Sequence, residues 1–250
     1  MAFTSNFSGA EIDARLASVD LIYGVKWNQA TDTMQKGVIQ HGTFIAVDYQ
    51  SYPIQDNHFR CMRDPVNDTV TYTDPNDSNY YVDGTSVAFD GSEGDMQTQS
   101  PAHYQLWTRD GDDIYILISW NPFKFNGDYA VIPPHFMGKS YYYYDCFEGV
   151  KYDDGTASLV QGTGTDDFDT ANDYLRSLPG YKPWTDQTRA ENRSGFANRG
   201  GTTHQWSWSA YQTMVALFVT KYGTWNSQAV LPGYTEASNC LLYTSDAADE

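Results

Sequence analysis

The groups in this 250-residue sequence with most capacity for chemistry are its 32 carboxylates, five histidines and three cysteines. His41, His58, His103, His135 and His204 are scattered singly, which fits hydrogen-bonded structural or surface histidines better than a ligand set. Two acidic clusters, Asp74, Asn76, Asp77 and Asp166, Asp167, Asp169, offer the oxygen ligands that hold Ca²⁺. Neither has the spacing and glycine of an EF-hand loop, and solvated turns are the alternative reading. A carboxylate pair for glycoside hydrolysis is a spatial requirement that sequence spacing does not reveal. The sequence contains no G-x-G-x-x-G, no G-x-x-x-x-G-K-[ST], no G-x-S-x-G and no H-E-x-x-H, so phosphate cradling, serine hydrolysis and zinc peptidase chemistry lack their local geometry. Cys61, Cys146 and Cys240 form no Cys-x-x-Cys pair, which argues for free thiols in a chain made in a reducing cytoplasm.

Recognition chemistry is better represented. Twenty tyrosines, 12 phenylalanines and seven tryptophans outnumber the leucines, isoleucines and valines together. Tyrosine combines an apolar face with a hydroxyl at low entropy cost, which suits binding surfaces as well as wet, loop-rich interiors.

Short alternating runs dominate residues 23–129, punctuated by Asp64-Pro65, Asp83-Gly84, Asp90-Gly91, Asp110-Gly111 and Asn126-Gly127. These are hairpin signals. The best strands are Thr69 to Thr73 and Asp113 to Trp120, rich in β-branched and aromatic residues. Tyr141 to Tyr144, followed by Phe147 and Val150, reads as another. Farther on, Thr188-Arg189-Ala190-Glu191 is a capping box ahead of a short helix that Gly200-Gly201 can end. The clearest helix runs from Trp208 to Tyr222, where Tyr211, Met214, Val215, Phe218 and Tyr222 form a core-facing stripe before Gly223. Trp225 to Gln228 reads as extended. At the start, Ser8-Gly9-Ala10-Glu11 caps a short helix with Ile12, Leu16 and Val19 on one side, whose partner is either the body of the chain or identical helices in an oligomer. Strands first and helices late describe an α+β fold of short antiparallel strands and two helices.

Charge and hydropathy exclude other classes. The net charge of −17 repels phosphate backbones and anionic lipids, so nucleic acid is not expected as a partner. No apolar stretch approaches the ~20 residues needed to span a bilayer, and the first ten residues lack the pattern of a secretion signal.

Several stretches in succession resemble one family. Asp74-Pro75-Asn76-Asp77-Ser78, Asp83-Gly84-Thr85 and Asp90-Gly91-Ser92-Glu93-Gly94-Asp95-Met96 lead to Pro101-Ala102-His103-Tyr104. Leu175-Arg176-Ser177-Leu178-Pro179-Gly180, the region Arg189 to Gly200, and Trp208 to Gly223 with Asn226-Ser227-Gln228 follow. The order is similar to that of phage tail proteins with a C-type-lectin fold, found in phages of gut bacteria. That fold belongs with formylglycine-generating-enzyme-like (sulfatase-modifying-factor-like) domains, and some members are diversified by diversity-generating retroelements.

The resemblance implies a C-type-lectin-like domain over residues 23–239, preceded by an attachment and oligomerisation segment, 1–22, in which Ile12, Leu16 and Val19 join a homotrimer. It implies a virion tail-fibre or receptor-binding protein that holds a host-surface glycan or protein, contacts other phage tail proteins, inserts in no membrane and needs no cofactor, Ca²⁺ aside. Candidate contacts, near the end where the family's reader surface begins, are Trp206, Trp208, Trp225, Asn226 and Tyr234; packing around the helix ends is the other reading of these five. Catalysis is not carried over, because Cys61 and Cys146 match no reactive motif of the oxidase relatives. A tail-associated glycan hydrolase with paired carboxylates and a structural tail adaptor are the alternatives. Gln97-Thr98-Gln99-Ser100 departs from the family's apolar-acidic-Ile pattern and predicts a more exposed strand. Residues 240–250 look like a translated sequencing adapter, which implies a fold truncated after about Asn239.

Overall fold

A computed structural model describes residues 21–49, 52–160, 168–185, 187–200 and 203–231. It is a mixed α+β structure dominated by antiparallel sheets, with two helices of seven or more residues. In chain order the strands are β1 (Tyr23–Asn28), β2 (Thr33–Gln40), β3 (Thr43–Ala46), β4 (Phe59–Asp64), β5 (Thr69–Tyr72), β6 (Asp95–Pro101) and β7 (Tyr104–Asp110). There follow β8 (Asp113–Ser119), β9 (Lys124–Phe125), β10 (Asp128–Tyr129), β11 (Tyr141–Asp145), β12 (Gly149–Asp153), β13 (Ser158–Val160) and β14 (Tyr174–Ser177). The helices are α1 (Arg189–Asn198), α2 (Trp208–Tyr222) and the single turn α3 (Ser227–Val230). The initial helix with Ile12, Leu16 and Val19, the residues Asp166 and Asp167, and Tyr234 and Cys240 lie outside the described residues.

The chain divides into two compact units. The first contains a five-stranded sheet in the order β3-β2-β1-β8-β7, built from antiparallel hairpins and the β1–β8 pair. Its hairpins turn where the sequence asks for it: Asn126 and Gly127 both take positive φ between β9 and β10, as a two-residue type I′ turn requires. Strand β8 is buried on both faces. Ile116 and Ile118 join Val25, Tyr23 and α2, while Tyr115 and Leu117 join Leu106 and Phe125 on the opposite side. Gly24 is required in β1, because a Cβ there would lie 2.0 Å from the Ile116 carbonyl oxygen.

Helix α2 packs on β1 and β8. Ser207 caps its first turn through Ala210 N–H, and Gly223 ends it at φ 66°. The large-residue stripe expected is only partly the buried face: Met214, Val215 and Phe218 pack half-buried against the core. Ala210, Thr213, Ala216, Leu217, Val219 and Thr220 are buried, whereas Tyr211 is half exposed. Small side chains bring the helix close to the sheet, and the aromatic rings are left to its flanks. The segment after it is also corrected: it curls into α3, with Asn226 accepting from Ala229 N–H as a cap, instead of extending.

The second unit contains a four-stranded sheet, β11-β6-β4-β5, and a three-stranded sheet, β13-β12-β14, with α1 against β14. The capping box of α1 forms in full, between Thr188 and Glu191. Residues 141–150, expected as one strand, are two, β11 and β12, separated by a bend at Cys146-Phe147. Strand β6 is not the exposed strand its polar sequence predicts: Gln97, Gln99 and Ser100 are buried. It sits between β4 and β11, and its side chains find partners there, Gln97 Nε2 on Asp145 at 2.7 Å, Gln99 Nε2 on the Tyr143 hydroxyl at 2.8 Å and Ser100 with His58. Burial is tolerable because these hydrogen bonds replace water.

Candidate functional site

Charged groups concentrate in the second unit, where they hold structure. Asp95 at the start of β6 has no solvent exposure. Its Oδ1 accepts from Arg176 Nε at 2.8 Å and from Ser177 N–H, and its Oδ2 from Arg199 Nε at 2.6 Å. Arg199 then donates through both terminal nitrogens to Asp145, at 2.9 and 3.0 Å. Burial opposes the Arg199 charge, but Asp145 and Asp95 outweigh it and hold the guanidinium more firmly protonated than usual. Each oxygen of the two carboxylates is occupied, so neither is poised to move a proton. Lys151 and Asp173 form a second buried pair at 3.0 Å, with the ammonium 5.0 Å from the Trp184 ring centre.

The cluster of Asp74, Asn76 and Asp77 forms no cation cage, and of the second cluster only Asp169 is among the described residues. Asp74 accepts from Asn76 N–H, Asp77 from Asn79 and Asp169 from Ala171 and Asn172, so these carboxylates close turns. Among the described residues no three His, Cys, Asp or Glu side chains converge as a metal site. Burial pushes the Cys61 thiol up to about 12 and that of Cys146 up to about 11, away from the thiolate form that reacts. Cys146 lines a cavity of about 220 Å³ with Phe147, Leu178 and Tyr181.

A roomier concavity lies in the first unit. A groove of about 430 Å³ runs between edge strand β7, the segment 128–134 and the first turns of α2, within the size range of small-molecule sites. Strand β7 is extended there by Val131, which exchanges both backbone hydrogen bonds with Gln105, at 2.9 and 3.0 Å. Gln105 and Trp107 are two residues apart and so share a face of β7. Ser209, Gln212 and Thr213 occupy one face of α2 by their i, i+3, i+4 spacing. His135 fixes this wall through a 2.9 Å contact with the Ser209 hydroxyl.

Two polar atoms of the lining have no protein partner. Gln105 Oε1 and Thr213 Oγ1 are buried and make no hydrogen bond within the protein, although Gln105 is 6% and Thr213 0% exposed as residues. Beside them Trp107 and Tyr129 are exposed, the latter at 70%. Asp128 accepts the Thr108 hydroxyl and supplies the groove's carboxylate, and no Lys or Arg lines it.

Of the residues singled out in the sequence, Trp208, Trp225 and Asn226 belong to the first unit and Trp206 to the second, and none of these four lines the groove. Trp208, 71% exposed, stacks on Tyr211 at 5.5 Å, the two residues directly preceding Ser209 and Gln212 of the groove's helical wall. Trp225 meets Trp27 edge-on, and Asn226 caps α3. Trp206 belongs to the second unit, edge-on to Tyr144. Sequence reasoning missed Gln105, Trp107, Tyr129 and Thr213; the one available signal was a run of polar residues, Ser209, Gln212 and Thr213, along one side of an otherwise apolar helix.

Comparison with protein-family models, with curated proteins and with solved structures finds no match for this chain.

Proposed function

We propose that this chain is a non-catalytic recognition protein of a phage tail, a receptor-binding or tail-fibre component with a C-type-lectin-like fold that holds a ligand on the host surface. The observation that carries the reading is the groove of the first unit, where buried acceptors without protein partners stand beside exposed aromatic rings. Such a lining binds without transforming: it offers hydrogen bonds and stacking but no convergent acid and base. The saturated Asp95 and Asp145 carboxylates support the same reading against a glycan hydrolase. The antiparallel α+β architecture and the succession of motifs support the fold assignment. On this reading the initial segment with Ile12, Leu16 and Val19 joins three copies, and the protein works in the virion after synthesis in a bacterial cytoplasm.

The test is adsorption of the labelled full chain to a panel of gut-bacterial cells, with released reducing ends assayed in the same tubes. Saturable adsorption without release is expected. Steady release of reducing ends would make the protein a hydrolase, and neither adsorption nor release would leave it a structural adaptor; both outcomes overturn the proposal.

A further inference from the structure

We infer that the groove of the first unit binds a neutral pyranose residue of a surface glycan, an inference that rests on the recognition reading above and adds the ligand's chemistry. Gln105 Oε1 is an acceptor only, so its partner must be an O–H or N–H donor. Thr213 Oγ1 can donate or accept. The occupant therefore presents a hydrogen-bond donor at its rim, and a hydroxyl, which both donates and accepts, suits the two atoms together. Trp107 and Tyr129 add exposed aromatic area, which calls for an apolar face on the same small molecule. A pyranose has both: axial C–H groups on one face and hydroxyls around the edge.

Charge decides between sugars. Asp128 is the charged side chain of the lining, and its carboxylate has capacity for hydroxyl donors beyond Thr108. The Lys124 ammonium, outside the lining, sits 4.9 Å from the Tyr129 ring centre, engaged with its face. With a chain charge of −17, a sialylated, uronic or sulfated sugar would meet repulsion without a compensating cation in the groove. On this inference the sugar's hydroxyls meet the two unpartnered oxygens of the lining while its C–H face covers the rings.

The experiment uses the fluorescently labelled full chain and a Gln105→Leu, Thr213→Val double variant. Both are applied to a printed array of neutral and acidic oligosaccharides and to bacterial cells that are untreated, periodate-oxidised or proteinase-treated. Thermal melting of the two proteins accompanies the binding. The inference predicts signal on neutral oligosaccharides, cell binding abolished by periodate and spared by proteinase, and at least a tenfold weakening in a variant that melts no lower than the parent. Binding confined to acidic oligosaccharides, or cell binding removed by proteinase and spared by periodate, with the variant still weakened, overturns the sugar assignment and leaves the recognition groove standing. Equal binding by parent and variant, or none by either, overturns the groove as a recognition site. If the double variant melts lower, Trp107→Ala replaces it and is read by the same outcomes.

Discussion

Asp95 receives two guanidinium groups and a backbone amide where no water reaches it. Replacing it by Asn removes the charge but little volume, leaving Arg176 and Arg199 to share the remaining acceptors. Breaking a buried ion pair from one side costs about 3–5 kcal/mol, and Asp95→Asn is expected to lose that amount in urea denaturation. Thr213→Val is the opposite case: it replaces a buried hydroxyl that has no protein partner by a methyl of similar shape, so stability should stay within about 1 kcal/mol of the parent or rise. Cys61 is expected to be nearly inert to iodoacetamide at pH 8 in the folded protein, because with its thiol pushed up to about 12 the reactive thiolate is scarce; site-resolved mass spectrometry should show fast labelling only after denaturation. The free thiols of Cys61 and Cys146 were legible from spacing alone. The Asp95 network was not, since Asp145, Arg176 and Arg199 lie 50 to 104 positions from Asp95 in sequence, and no local pattern links them.

Helix ends and turns were the elements read most accurately, since their chemistry is local. The capping box at Thr188 and the stop at Gly223 sit where the sequence places them. Thr188→Ala is expected to cost about 1 kcal/mol by removing the acceptor for Glu191 N–H. The same local bonds give the fold an acid limit. Asp83 is held below the usual carboxylate range by the Thr85 hydroxyl and amide, Asp90 by those of Ser92, and Glu191 by the Thr188 amide. A carboxylate whose folded pKa lies below its unfolded one contributes stability above the unfolded value and loses it as pH falls through the folded one. Melting temperature should therefore be flat from neutrality to about pH 5 and fall below about pH 4. Face selection was less legible. Large residues mark the stripe on α2 by period, and Met214, Val215 and Phe218 of it do pack on the core, but close approach to β1 and β8 buries Ala210, Ala216 and Thr220 more fully. A polar strand such as Gln97 to Ser100 reads as exposed until its partners in β4 and β11 are known.

The whole molecule combines an acidic chain with two compact units, of which the first carries the groove. No helix among the described residues is long and apolar enough to cross a membrane. The groove was invisible to sequence reasoning because its walls come from residues near 105, 130 and 210, joined only by the sheet edge and the helix laid across it. The trimer reading belongs to this scale: Ile12→Asp or Leu16→Asp should convert a trimer into a monomer by light scattering, and a parent that is already monomeric would rule it out. The account as a whole turns on whether the first unit's groove is where the protein takes hold of a cell. Equilibrium adsorption of the full chain and of its Trp107→Ala variant to the same bacterial cells measures this directly. A dissociation constant at least ten times higher for the variant, with an unchanged melting temperature, is the predicted result; superimposable isotherms would contradict the account.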